Sequence, residues 1–225
     1  MDQLEPITEE IRRYFEEVNA ARDQAYQRSR ELVSVCSRAI RAVHRSEWER
    51  AEALMGEAKA AAKQLIAGVT AYPDLYHAGY TQDSLKEYVE AYLTYAIIRG
   101  LPWPSPAELG VEYNTWLNGL AEATTELRRT ILDLIRHGHS GEVERLLNVM
   151  EEVYSVLVVM DFNDAITGGL RRRTDAVRAV LERTRADVTT SLRQAELEKA
   201  LARLEVRLGE GIGRRGEEVT ERLRD

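Results

Sequence analysis

Cysteine is almost missing from this chain of 225 residues: Cys36 stands alone, which excludes an intrachain disulfide framework and any cysteine-based zinc site. A lone thiol fits a reducing cytoplasm and implies no redox role. Proline is scarce as well. Three of the five crowd into Pro102-Trp103-Pro104-Ser105-Pro106, so little interrupts long helices elsewhere. No stretch approaches the about 18 apolar residues of a membrane-spanning helix, and the amino terminus has no basic start followed by an apolar run. These absences lead us to expect a soluble, cytoplasmic protein with no membrane partner. Excess positive charge is also missing. With 31 Lys and Arg against 38 Asp and Glu the net charge is -7, so the surface is not coated for non-specific nucleic-acid binding and any basic patch must be local. Of the four histidines, His137 and His139 flank a glycine in a polar turn, where no cysteine or third histidine completes a zinc site. His77, beside Tyr76 and Tyr80, stays open between packing and a site role.

What the chain has in quantity is helical period. Apolar residues recur at three and four positions nearly throughout, and the 44% hydrophobic content suffices for one sizeable core, so we expect an all-α fold of about seven helices in a long antiparallel bundle. The pattern predicts helices over about 6–44, from Ser46 to just before Tyr72-Pro73, 81–99, a short one after Ser105, 113–136, 142–160 and 170–208. Ser46-Glu-Trp-Glu49 and Ser105-Pro106-Ala-Glu108 both have the form of a capping box, and Gly100 is placed to stop the helix before it. Residues 1–208 then form a single helical domain. Residues 209–225, with glycine at 209, 211, 213 and 216 and little apolar content, read as a flexible tail.

Two acidic pairs stand out. Glu87 and Glu90 lie three apart in the apolar, aromatic segment Leu85-Lys86-Glu87-Tyr88-Val89-Glu90-Ala91-Tyr92, where a buried carboxylate demands a compensating cation, base or proton. Glu122 and Glu126 form a second pair on another helix. Such pairs also occur on ordinary solvated helix faces, but if the two helices pack together they supply hard oxygen ligands of the kind that hold Mg²⁺ for phosphodiester chemistry. Glu126 can orient a water at such a site or simply pair with Arg128 or Arg129. Tyr88, Tyr92 and Tyr95 follow helical spacing and read as packing residues. The strongest basic cluster is Arg171, Arg172, Arg173, Arg178, Arg183 and Arg185, either an RNA contact or a solvated helix balanced by neighbouring acids; Arg38, Arg41, His44 and Arg45 are a second set.

Three blocks in order resemble the translin/TRAX family, in its TRAX branch, over roughly residues 25–190. Arg28-Ser29-Arg30-Glu31 through His44-Arg45 is similar to the first helix of TRAX, with its Ser-Arg-Asp start and Leu-His-Arg end. Glu87-Tyr88-Val89-Glu90-Ala91 matches the family block Leu-Gln-Glu-Tyr-Val-Glu-Ala, and Trp116 to Leu127 resembles Tyr-Leu-Leu-Gly-Val-Ala-Asp-Leu-Thr-Gly-Glu-Leu. The family's catalytic acids fall on Glu87, Glu90 and Glu122, the last a glutamate where the family has aspartate. Translin itself lacks these acids. The resemblance implies an all-helical subunit of a closed, roughly octameric shell, alone or with a second translin-family subunit, that binds single-stranded RNA or DNA inside. In TRAX-like subunits it implies an endoribonuclease that cuts RNA with Mg²⁺ on Glu87, Glu90 and Glu122, with Glu126 close by. A non-catalytic, translin-like binding oligomer is the alternative, and a purely structural helical scaffold a third.

Overall fold

The computed structural model describes residues 4–222 apart from residue 139, with side chains described as far as Arg207. Among the described residues there is no strand. The helices are α1 (Leu4–His44), α2 (Trp48–Val69), α3 (Pro73–Tyr76), α4 (Gly79–Arg99), α5 (Pro106–Leu109), α6 (Tyr113–Ile135), α7 (Gly141–Val158), α8 (Asp164–Thr167) and α9 (Leu170–Arg222). The all-helical bundle expected from the periodicity is present. The one-turn α3 and α8 add to the expected seven because a single turn is too short to show a period in sequence.

The short connection between α1 and α2 folds them into an antiparallel hairpin, and α4 packs into it from one side. On α1 the residues Leu32, Cys36, Ala39 and Val43 repeat every three or four positions and are all buried, and Ala51, Ala58 and Ala62 are buried on α2. On its other side α4 packs against α6, which in turn carries α7 and α9. Because α4 has neighbours all round, Leu85, Tyr88, Val89, Leu93 and Ile97 are buried on every face. Each fully buried leucine of this set contributes about 2 kcal/mol. Tyr88 and Tyr92 pack edge to face at 5.0 Å, and the Tyr92 hydroxyl donates to the Met55 carbonyl at 3.0 Å, so the tyrosines serve the core as expected.

Helix ends follow the sequence signals with two differences. Gly100 takes the left-handed conformation that ends α4, and Ser105 with Glu108 forms the full capping box of α5. Ser46, by contrast, does not cap α2. It lies at φ 57° and completes the end of α1, its amide donating to Val43 and that of Glu47 to Ala42, so Glu47 takes the cap position without a side-chain bond. The three-residue reversal needs a left-handed residue, and that geometric demand overrides the capping pattern. The second difference is α9, whose backbone stays helical to Arg222 rather than ending at 208, since glycines weaken a helix but no proline stops it. The flexible tail expected over 209–225 falls on side chains and terminal residues outside the described ones.

Candidate metal centre

Residues three apart on a helix share a face, so Glu87 and Glu90 both project from the side of α4 that meets α6. Gly119 makes that meeting close. A Cβ added there would lie 2.6 Å from Val89 Cβ and 2.9 Å from the Lys86 carbonyl oxygen, so only a residue without a side chain allows α6 to back onto α4 at this point. One turn further on, Glu122 reaches the pair. One oxygen from each of Glu87, Glu90 and Glu122 lies within 4.8 Å of the other two. The extra methylene of glutamate at 122 does not prevent the convergence.

The three carboxylates differ in surroundings. Glu90 is 8% exposed, and no hydrogen bond or ion pair reaches it among the described residues. Burial, then the charges of Glu87, Glu122 and Glu126, push its pKa up to about 8, with Lys86 acting the other way. Glu87 and Glu122 are compensated instead. Lys86 Nζ lies 3.2 Å from Glu87 Oε1 and also bonds Glu122 Oε2, while Arg173 Nε donates to Glu122 Oε1 at 2.9 Å. Burial opposes charge on Lys86, but the Glu122 and Glu87 carboxylates together outweigh it and hold its pKa above the ordinary lysine value. Arg173 also donates to Asn118 Oδ1 at 3.1 Å, and Asn118 in turn donates to the Thr167 carbonyl at 2.7 Å, tying the start of α9 to α6. Burial followed by the charges of Glu87 and Glu90 lifts the Cys36 thiol to about 12, which leaves it an inert neighbour of the acids.

The donor set suits a hard divalent cation. It is all oxygen, it contains a buried carboxylate with no donor of its own, and it lacks the histidine or cysteine ligands of a zinc site. Three oxygens gathered within 4.8 Å of one another are close enough for small side-chain rotations to bring them onto one divalent ion, whose oxygen ligands lie at about 2.1 Å for Mg²⁺ and about 2.4 Å for Ca²⁺.

Other residues singled out in the sequence are placed differently. Glu126 pairs with neither Arg128 nor Arg129; its Oε2 lies 2.7 Å from His44 Nε2, and that bond, against burial, lowers its pKa. Arg128 binds Asp187 instead. His44 is therefore not a surface contact: its side chain is 1% exposed, clamped between Glu126 and, at 3.3 Å, the Thr130 hydroxyl. Arg173 turns inward to Glu122, while Arg171 and Arg172 remain exposed at the start of α9. Arg178 is exposed and paired with Glu182, Arg185 with Glu151. On α1, Arg38 and Arg45 are exposed with loose pairs to Glu57 and Glu47, and Arg41 is exposed one turn before His44. His139 lies outside the described residues. Nothing in the sequence singles out Lys86 or Gly119 as part of a site. Lys86 sits next to Glu87 in sequence, where neighbours on a helix point in different directions, and only its long stem lets it curl back.

An all-helical subunit with a carboxylate triad built across two packed helices is the class of protein that fold and site define. Comparison with known proteins is more specific. No family model matches the chain. An uncharacterized protein of Methanocaldococcus jannaschii is 29% identical over 199 residues, 88% of each sequence. The crystal structure of AfC3PO, from Archaeoglobus fulgidus, is 31% identical with a TM-score of 0.77, covering 84% of this chain and 98% of that one. The structure of AfC3PO with duplex RNA gives 32% and 0.73 over the same shares. The apo-NeC3PO structure, from Nematostella, is 22% identical with a TM-score of 0.74, over 85% and 98%, and speaks for the fold alone. The chain belongs to the translin/TRAX family, to which C3PO belongs.

Proposed function

We propose that this protein is a TRAX-like, divalent-metal-dependent endoribonuclease acting on single-stranded RNA inside a homo-oligomeric shell, Mg²⁺ being the cation. The observation that carries the reading is the convergence of Glu87, Glu90 and Glu122, with Glu90 in a buried position and without a hydrogen bond or ion pair among the described residues. Three acids so close repel one another, and a divalent cation held between them would relieve that repulsion. Bound there, the metal supplies Lewis acidity toward a phosphate oxygen and acidifies a water. Glu87, Glu90 and Glu122 hold it. Glu126, bonded to His44, is assigned the orienting of a water at the metal. Arg171 and Arg172 on α9, with Arg38, Arg41 and Arg45 on α1, are exposed and supply the phosphate contacts, whereas Arg173 serves the triad. An oligomer, eight subunits by family analogy and with a second family member as a further partner, accounts for the exposed apolar stripe Leu4, Ile7, Ile11, Tyr14 and Phe15 on α1. A buried free thiol, Cys36, fits a cytoplasmic setting.

One observation favours a binding-only reading. Lys86 and Arg173 already neutralise Glu87 and Glu122, as a site that never loads metal would require. AfC3PO has been solved with duplex RNA, so duplex belongs among the substrates tested. The deciding experiment is incubation of labelled single-stranded and duplex RNA with purified protein in Mg²⁺ or in excess chelator. Metal-dependent cleavage that vanishes in Glu87→Gln and Glu90→Gln while binding persists supports the nuclease. Binding without cleavage under all conditions supports the translin-like role.

A further inference from the structure

The triad is not bare, and the group that fills it is part of the chain. Lys86 Nζ touches Glu87 Oε1 and Glu122 Oε2 from between them, where a cation bridging the two ligands through those oxygens would stand. Its side chain is 10% exposed, so this is a built-in placement and not a surface contact. Arg173 takes the remaining oxygen of Glu122 from the far side. Lys86 and Arg173 between them compensate Glu87 and Glu122, and Glu90 adds a third carboxylate that no cation of the chain reaches among the described residues. Two cations cannot share the space between Glu87 and Glu122: an ion at about 2.1 Å from the oxygens that the ammonium now bonds would stand within contact distance of it. We propose, building on the metal-site reading, that Lys86 is an intramolecular stand-in for the divalent cation, which compensates Glu87 and Glu122 in the metal-free protein and must be displaced for metal to bind, so that it sets the cation concentration at which the site loads.

The proposal accounts for two features together. It explains how the metal-free fold tolerates converging acids on two tightly packed helices, because the ammonium screens the repulsion that Gly119 would otherwise expose. It also explains why the least exposed acid, Glu90, is the one without a partner: the internal cation serves the two outer ligands and leaves the inner one for the metal. A flexible four-carbon stem suits a group that must leave its partners, in a way that the rigid fork of arginine would not.

Calorimetric titration of the full chain with Mn²⁺, without RNA, tests this. Lys86→Gln leaves no ammonium to be displaced from Glu87 and Glu122, so it should bind Mn²⁺ about ten-fold tighter than the parent, the lost cost of breaking two partly buried ion pairs. Lys86→Arg, which keeps the charge and holds carboxylates more firmly, should bind Mn²⁺ no tighter than the parent. A loss of fold in Lys86→Gln would be read from its circular dichroism, and a second measurement on the unaltered protein then decides: acetylation of Lys86 followed by peptide mass spectrometry should rise when Mn²⁺ is added, as the ammonium leaves its two carboxylates. If the parent binds Mn²⁺ but Lys86→Gln binds no tighter, or Lys86 labelling is unchanged by metal, the stand-in role is wrong and the metal site survives. If neither the parent nor Lys86→Gln binds Mn²⁺ at millimolar concentration, the metal site itself is wrong and the stand-in role falls with it.

Discussion

Replacing Glu90 by Gln removes the one carboxylate of the triad that has no partner, and the consequence for stability can be worked out from its surroundings. Burial and the neighbouring acids raise its folded pKa from the ordinary 4.5 to about 8. A raised pKa means that the folded chain binds the proton more tightly than the unfolded one. The contribution to stability is therefore fully present below 4.5 and is lost as pH rises toward 8, at about 1.4 kcal/mol for each pH unit. Across that window the metal-free protein should lose about 4–5 kcal/mol from this group alone. Glutamine keeps the shape and carries no charge at any pH, so the stability gap between Glu90→Gln and the parent should be small at pH 5, widen steadily to pH 8 and level off beyond it. Urea unfolding in chelator at half-unit pH steps from 5 to 9 would measure it. Adding Mg²⁺ at pH 8.5 should narrow the gap, because the ion stabilises only the parent's carboxylate. A gap that is constant from pH 5 to pH 9 would refute the reasoning, since it would mean that Glu90 is solvated or already paired in the folded protein.

Gly119→Ala should cost about 1–3 kcal/mol by pushing α6 off α4, and the same separation should weaken Mn²⁺ binding in calorimetry because Glu122 retreats with its helix. Ser46→Gly should raise stability by about 1 kcal/mol in thermal unfolding, since glycine takes φ 57° without the strain that serine bears there. Arg171→Ala with Arg172→Ala should weaken RNA binding and flatten its dependence on log salt by about 2, and a slope equal to the parent's would remove this face of α9 from the RNA path. Arg173→Ala should behave differently, with a small salt effect and a large change in Mn²⁺ affinity, because its guanidinium is held on Glu122 and Asn118.

How much of this was legible in the sequence depends on how far apart the interacting groups lie. Helix identity and most helix ends are local properties. Apolar spacing on Leu32, Cys36, Ala39 and Val43 marks a buried face of α1, and Gly100 and the Ser105–Glu108 box act within one turn of themselves, so a linear reading finds them. Glu87 and Glu90 were legible for the same reason. Even the sequence's one capping error, at Ser46, is an error about three residues, made because the hairpin turn needed a left-handed residue more than α2 needed a cap.

The sequence by itself determined an all-helical chain, its break at the proline cluster, the acids on α4 and α6 and the likeness to one family. Only the tertiary structure decided which charges meet. That Glu122 joins Glu87 and Glu90 across 32 residues depends on the absent side chain at Gly119. That His44 takes Glu126, 82 residues away, depends on α1 lying beside α6 at that level of the bundle. Arg173 reads as one of three identical arginines until the start of α9 is docked on Asn118, and Lys86 as a solvated neighbour of Glu87 until α6 closes over it. Helical periodicity assigns a residue to a face from its own few neighbours, but a Coulomb pair is fixed by ångström distances between faces. Those distances are set by side-chain packing summed over whole helices, which no short stretch of the chain contains.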